Sequence, residues 1–285
     1  MKLIMILQEE KIKASIKDFW NMVELRLKML QNKSKEIHDL PEWTKIIRIE
    51  NIFRQCDKTC VFIMDQKDFK KDPVQVALFT IINSPNSWTI YKDSKANSLK
   101  DHVIKMSKDG LTAFHGAYMV NAPRNVVMNS EQLLKDVVAD SIKQKLQPVE
   151  FHDALLKVPG IADFMAHQIV INLQLTGHLP YDQNYVKLGP GSSKGLKLLG
   201  LPEKEESLQI LLNQIPDSVK KLTPKLTSDG SNANAKKCEW NLETIENCLC
   251  IYQKMLKFRQ TGNTKRTYTT KNNATHSYNA PTFYK

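Results

Sequence analysis

Apolar residues three and four positions apart recur along most of this chain, and strictly alternating stretches are few. Ile12, Ile16, Phe19, Val23 and Leu27 fall on one face of a helix at that spacing. The pattern predicts an all-α, mainly helical fold. Pro41 closes the first helix, and a second runs from Trp43-Thr44 to about Cys60, with Ile46, Ile49, Ile52 and Phe53 as its apolar stripe. Asn51, Arg54 and Asp57 are each three apart, so they form a polar ridge along one side of that helix. Further helices are expected at Val74 to Ile82, Glu131 to Leu146, Val149 to Lys157, Ala162 to Leu175, Glu203 to Ile215 and Leu242 to Phe258. Trp88 to Tyr91 and Leu99 to Met106 read as shorter helical pieces. The stretch Leu111 to Pro123 fits either a short buried strand or irregular helix.

The 285 residues can bury a substantial core. They divide into a helical domain, 1–260, and a polar, basic, Tyr-dotted tail, 261–285, expected to be disordered when unbound. Thr223 to Lys237, rich in Ser, Asn, Ala and Lys, reads as an exposed loop. There are 41 Lys and Arg against 30 Asp and Glu, a formal charge of +11. That surplus favours a polyanion, with nucleic acid first among the candidates. No window approaches the roughly 20 apolar residues of a membrane helix. The apolar run Met1 to Leu7 is too short for a secretory signal. The five cysteines are Cys56, Cys60, Cys238, Cys248 and Cys250. An odd, scattered set fits reduced core thiols in an intracellular protein and matches no zinc or iron–sulfur pattern. No metal or cofactor is expected.

Two segments carry glycines where a backbone could meet a phosphate. The first is Lys157-Val158-Pro159-Gly160-Ile161-Ala162, between two expected helices. It reads either as a helix-hairpin-helix or as an ordinary Pro-Gly turn. In the first reading Gly160 tolerates positive φ, and the following helix presents free N–H groups to an anion. The second is Gly189-Pro190-Gly191-Ser192-Ser193-Lys194-Gly195. Its backbone donors, hydroxyls and Lys194 suit a phosphate, although a flexible linker fits the same composition. It lacks the Gly-Lys-Ser/Thr spacing of a nucleotide-binding P-loop. The DNA-contact candidates are therefore Lys157, Pro159, Gly160, Ile161, Ala162, Gly189, Gly191, Ser192, Ser193 and Lys194.

In order along the chain stand Trp43-Thr44, Asn51-x-x-Arg54-x-x-Asp57, Phe79 to Asn83 with Trp88, and Gly116-Ala117-Tyr118-Met119. Pro159-Gly160-Ile161 follows with Phe164, Ala166 and Gln168, then Gly189-Pro190-Gly191 with Gly195-Leu196, and Ile245-Glu246-Asn247-Cys248-Leu249-Cys250. This series resembles the alpha-glutamyl/putrescinyl thymine pyrophosphorylases and the helical domain found with 5-hydroxymethyluracil DNA kinases. Both are related to the helix-hairpin-helix DNA glycosylases. The resemblance covers about Phe19 to Tyr268 and implies a glycosylase-like helical architecture.

It also implies chemistry on a modified thymine in duplex DNA, the family being one of DNA thymine hypermodification transferases. Pyrophosphate leaves 5-(pyrophosphoryloxymethyl)uracil, and an amine or amino-acid co-substrate takes its place. The base must be extruded from the duplex. The implied catalytic candidates are Asp182, Arg54, Asp57, Asn51 and Glu24. Asp182 would act as the base, Arg54 would hold phosphate, and Asp57 would orient it. Three places where the family tends to carry a carboxylate hold Ile46, Asn172 and Ile251 here. That difference leaves open a DNA-recognition subunit without catalysis, working with a protein partner. Two more readings stay open: a DNA glycosylase, and a helical protein whose ridge makes only internal salt bridges. The expected setting is intracellular, nuclear in a eukaryote and cytoplasmic in a bacterium or phage.

Overall fold

The computed structural model describes residues 2–31, 52–94, 98–114, 123–224 and 238–261. Among these residues the chain is helical, with no strand. The first helix, α1, is Lys2–Gln31. A single 3-10 turn, Arg54–Cys56, precedes α2 (Lys58–Asp65), α3 (Pro73–Ile82), α4 (Pro85–Asp93) and α5 (Leu99–Lys108). Then come α6 (Pro123–Asn129), α7 (Glu131–Lys143), α8 (Pro148–Leu155) and α9 (Asp163–Leu175). The last four are α10 (Pro190–Leu198), α11 (Glu206–Leu212), α12 (Asp217–Lys221) and α13 (Leu242–Thr261).

Local chemistry sets many of these boundaries. Asp72 caps α3 by accepting from Val74 N at 2.9 Å, with Pro73 in the first turn. Asn83 ends α3 in the left-handed conformation, φ 47°, and its N–H reaches Phe79 O at 2.6 Å. Ser84 and Ser98 cap α4 and α5 in the same manner. Between α8 and α9 the chain turns where Pro159-Gly160 interrupts the helical pattern, and Gly160 sits at φ 87°.

The helices build two hydrophobic cores. The first uses one continuous stretch, from Val61 to Tyr185, and encloses Phe62, Phe69, Phe79 and Trp88, whose ring centroids lie 5.2–5.9 Å apart. The second combines distant parts of the chain. Phe19, Val23 and Leu27 of α1 meet Ile52 and Phe53, then Leu196, Leu208, Ile245, Leu249 and Tyr252 from the C-terminal helices. The chain passes from the second core to the first just after Cys56 and returns at Tyr185-Val186. The seam between the cores is therefore bordered by the Arg54 turn on one side and the Tyr181–Tyr185 segment on the other.

Three sequence expectations need correction. The expected helix to Cys60 does not carry the polar ridge. Arg54 lies in the 3-10 turn and Asp57 is an extended N-cap residue, because its carboxylate accepts from both Thr59 N and Thr59 Oγ1 at 2.9 Å. The Gly189–Gly195 segment is not a loop but opens α10. The apolar periodicity does not announce α6 or α12, which the structure adds. Ile46, Asn51, the Gly116–Met119 motif, most of the Thr223–Lys237 segment and the tail from 262 lie outside the described residues.

Candidate active site at the seam between the cores

Arg54 is buried at the seam, and its guanidinium joins elements of both cores. Nη2 donates to Gln168 Oε1 on α9. Nε stands 3.6 Å from Glu243 Oε1 on α13, and Nη1 3.9 Å from Asp57 Oδ2. Ile52 and Phe53 fix the turn from behind, the Phe53 ring lying 5.0 Å from that of Trp240. The guanidinium thus donates to Gln168 and places its charge within ion-pair distance of Glu243 and Asp57.

Burial pushes the Glu243 carboxyl up to about 8, against the pull of Arg54. A carboxyl tuned to that range can take up or release a proton at neutral pH. Glu246, one turn along, is also raised by burial, and Ser192 Oγ opposes the shift by donating to Oε1 at 2.7 Å. His167 of α9 is held at about 3 by burial and by Arg54, so it stays neutral. A narrow pocket opens beside these groups. Arg54, Gln55, Gln174, Tyr181, Asp182 and Glu243 contribute to its lining, together with Tyr185 and Asn241. Asn241 Nδ2 donates to Tyr181 Oη at 2.7 Å, and Tyr185 Oη pairs with His152 Nδ1 at 2.9 Å.

The structure brings Arg54, Asp57 and Asp182 into this one region and leaves Glu24 out of the pocket. Asp182 is half-buried and accepts from Asn184 N at 2.9 Å, which holds its turn in shape. Glu24 lies on α1, paired with Lys28 Nζ at 2.6 Å and Ser218 Oγ at 2.8 Å. Sequence reasoning misses Glu243. An acidic residue in a first helical turn ordinarily reads as a solvated complement to the helix dipole. Only tertiary packing buries it against Arg54.

The two glycine-bearing segments differ. At the α8–α9 turn Lys157 and Pro159 are exposed, Gly160 is half-buried, Ile161 is anchored in the first core, and Ala162 is exposed at the N-cap of α9. Asp163 follows in the first turn, 3.4 Å from His152 Nε2. At α10 the donors point inward, since Gly189 N and Ser192 Oγ both serve Glu246. Ser192 is fully buried, Ser193 half-buried, and Lys194 exposed. Gly191 and Gly195 let α10 approach α13. A Cβ on Gly191 would lie 2.6 Å from Cys250 Sγ, and one on Gly195 2.7 Å from Leu249 O. The phosphate-loop expectation for Gly189, Gly191 and Ser192 gives way to this packing role.

Two of the positions where the resemblance placed carboxylates are described. Asn172 is buried and donates to Thr80 Oγ1 at 2.8 Å, while Ile251 is packed in the second core. Among the described residues no three His, Cys, Asp or Glu side chains are grouped to hold a metal ion. Nor is any helix there long and apolar enough to cross a membrane.

The chain belongs to the family described as the 5-hmdU DNA kinase helical domain, which it matches over residues 13–264. That description sets it in the context of DNA base modification. No curated protein and no solved structure gives a significant match.

Proposed function

We propose that this chain binds duplex DNA, takes an extruded 5-substituted uracil into the seam pocket, and replaces a pyrophosphate on its 5-methylene carbon with an amine. The observation that carries this reading is the buried Arg54–Glu243 pair in a pocket between two cores, within a chain of the 5-hmdU DNA kinase helical family. In the reaction the carbon–oxygen bond to pyrophosphate breaks and the oxygen keeps the electron pair. The amine nitrogen forms the new bond and loses a proton. Glu243 in its ionised form, which gains population as pH approaches 8, is the acceptor for that proton, alongside Asp182 at the same pocket. Arg54 supplies positive charge where the leaving group gains negative charge. Phosphates of the duplex meet the exposed Gly160 turn, the N-terminus of α9 and Lys157. Lys194 and the basic tail add attraction, and no base sequence is read through them.

Recognition without turnover is the second reading, favoured by Asn172 and Ile251, which have joined the interior in place of carboxylates. Incubation with DNA carrying 5-(pyrophosphoryloxymethyl)uracil and an amine, followed by nucleoside mass spectrometry, separates the two. The amine-substituted nucleoside is expected from the wild type and is lost in Glu243→Gln. DNA that is bound but returned unchanged, across glutamate, putrescine and other amines, establishes recognition alone.

A further inference from the structure

Two amides in the seam pocket are left with unmet hydrogen bonds. Gln55 follows Arg54 in the 3-10 turn and Gln174 lies near the end of α9, so the two come from opposite sides of the seam. Each is 7 % exposed. Gln55 Oε1, an acceptor, and Gln174 Nε2, a donor, are both buried without a partner. Folded proteins pair nearly all such atoms, and an orphan in a pocket points to a ligand that completes it. One missing donor and one missing acceptor call for a molecule that offers both.

We propose that Gln55 and Gln174 are the residues that read the Watson–Crick edge of the uracil base. The inference rests on the DNA-base reading above and adds the residues that choose the base. Uracil carries its N3–H donor between two carbonyl acceptors. Gln55 Oε1 accepts from N3–H, and Gln174 Nε2 donates to a neighbouring carbonyl. Cytosine presents an N3 acceptor beside an amino donor, which sets acceptor against acceptor and donor against donor. Tyr181 and Tyr185 supply flat walls for the ring. Arg54 and Glu243 are left for the 5-substituent. The pocket is narrow, and Tyr181 stands half exposed at its rim.

The test uses the full chain and three matched duplexes that differ at one site. One carries 5-hydroxymethyluracil, one 5-hydroxymethylcytosine and one an abasic analogue. Anisotropy titrations should show the uracil duplex bound roughly 10- to 100-fold more tightly than the cytosine duplex. Gln55→Leu and Gln174→Leu should each bring that ratio towards one and leave the abasic affinity unchanged. Their melting temperatures should hold or rise, because each variant removes a buried atom that lacks a partner in the free protein. A structural role for either amide would instead lower the melting temperature. Equal binding of the uracil and cytosine duplexes by the wild type, or an unchanged ratio in the variants, overturns this assignment alone. Failure to bind any of the three duplexes overturns the DNA reading and this inference with it.

Discussion

The α8–α9 turn and the start of α10 look alike in sequence, each a proline flanked by glycine with a lysine nearby, yet the fold uses them oppositely. At the first, Val158 and Ile161 are buried while Lys157 and Pro159 face solvent, so the turn lies at the surface. At the second, the glycines serve helix packing and the donors serve Glu246. Whether a glycine motif meets a ligand or a neighbouring helix depends on what lies across from it. Here α13 lies across from α10.

The largest expected effect concerns the arginine that ties the two cores together. Above pH 8, where Glu243 is ionised, Arg54→Ala leaves that carboxylate without its partner and should cost about 3 kcal/mol of stability. Chemical denaturation would show this as a lowered midpoint. The double variant Arg54→Ala with Glu243→Gln should recover part of the loss. A single variant as stable as the wild type would mean that the seam is held without this contact.

Next come the glycines. Gly195→Val forces its side chain into the Leu249 backbone and should destabilise by about 1–3 kcal/mol. Gly160→Val places a branched residue at positive φ and should cost about 1–2 kcal/mol. In DNA affinity the order reverses. Folded Gly195→Val protein should bind as the wild type does, while Gly160→Val should bind weakly. If both lose affinity in step with their stability, the contrast between the two segments fails.

A smaller effect is the pH dependence of stability. Glu243 has a folded value of about 8, above its ordinary carboxyl range, so the folded state holds a proton that the unfolded chain releases. Stability from this group is full at acid pH and is lost as pH rises towards 8, by up to about 1.4 kcal/mol per pH unit. His167 is held at about 3, so it acts in the opposite sense below about 6.5. The two slopes cancel at mildly acid pH, and the Glu243 slope stands clear between about 6.5 and 8. Glu246 contributes in the same direction as Glu243. The difference between wild type and Glu243→Gln in thermal melts over that window therefore isolates Glu243. Parallel melting curves in the two proteins would contradict its raised value.

Much of the helical order is legible in the sequence. Periodicity locates α7, α9 and α13 to within a few residues, and Pro159-Gly160 marks the turn. The ridge misleads because three-residue spacing looks the same in a helix and in a 3-10 turn that runs into a cap. Asp57 two residues before Thr59 is a signal for a new helix start, and it fits the side-chain bonds observed. Resemblance places Arg54 and Asp182 in one site. It does not reach Glu243, Gln55 and Gln174, because burial decides their chemistry and burial is a property of the assembled cores.

DNA binding through an exposed turn and a basic surface is the central claim, and a salt series tests it most directly. Fluorescence anisotropy of the full chain on a duplex should give a log–log slope of affinity against salt of roughly −4 to −5, from about four to six phosphate contacts. Deleting residues 262–285, which include Lys265, Arg266 and Lys271, should make that slope shallower by about two to three units and leave any base preference intact. No binding at low salt, or an affinity indifferent to salt, would contradict the account and leave the seam as a purely structural ion pair between two helical cores.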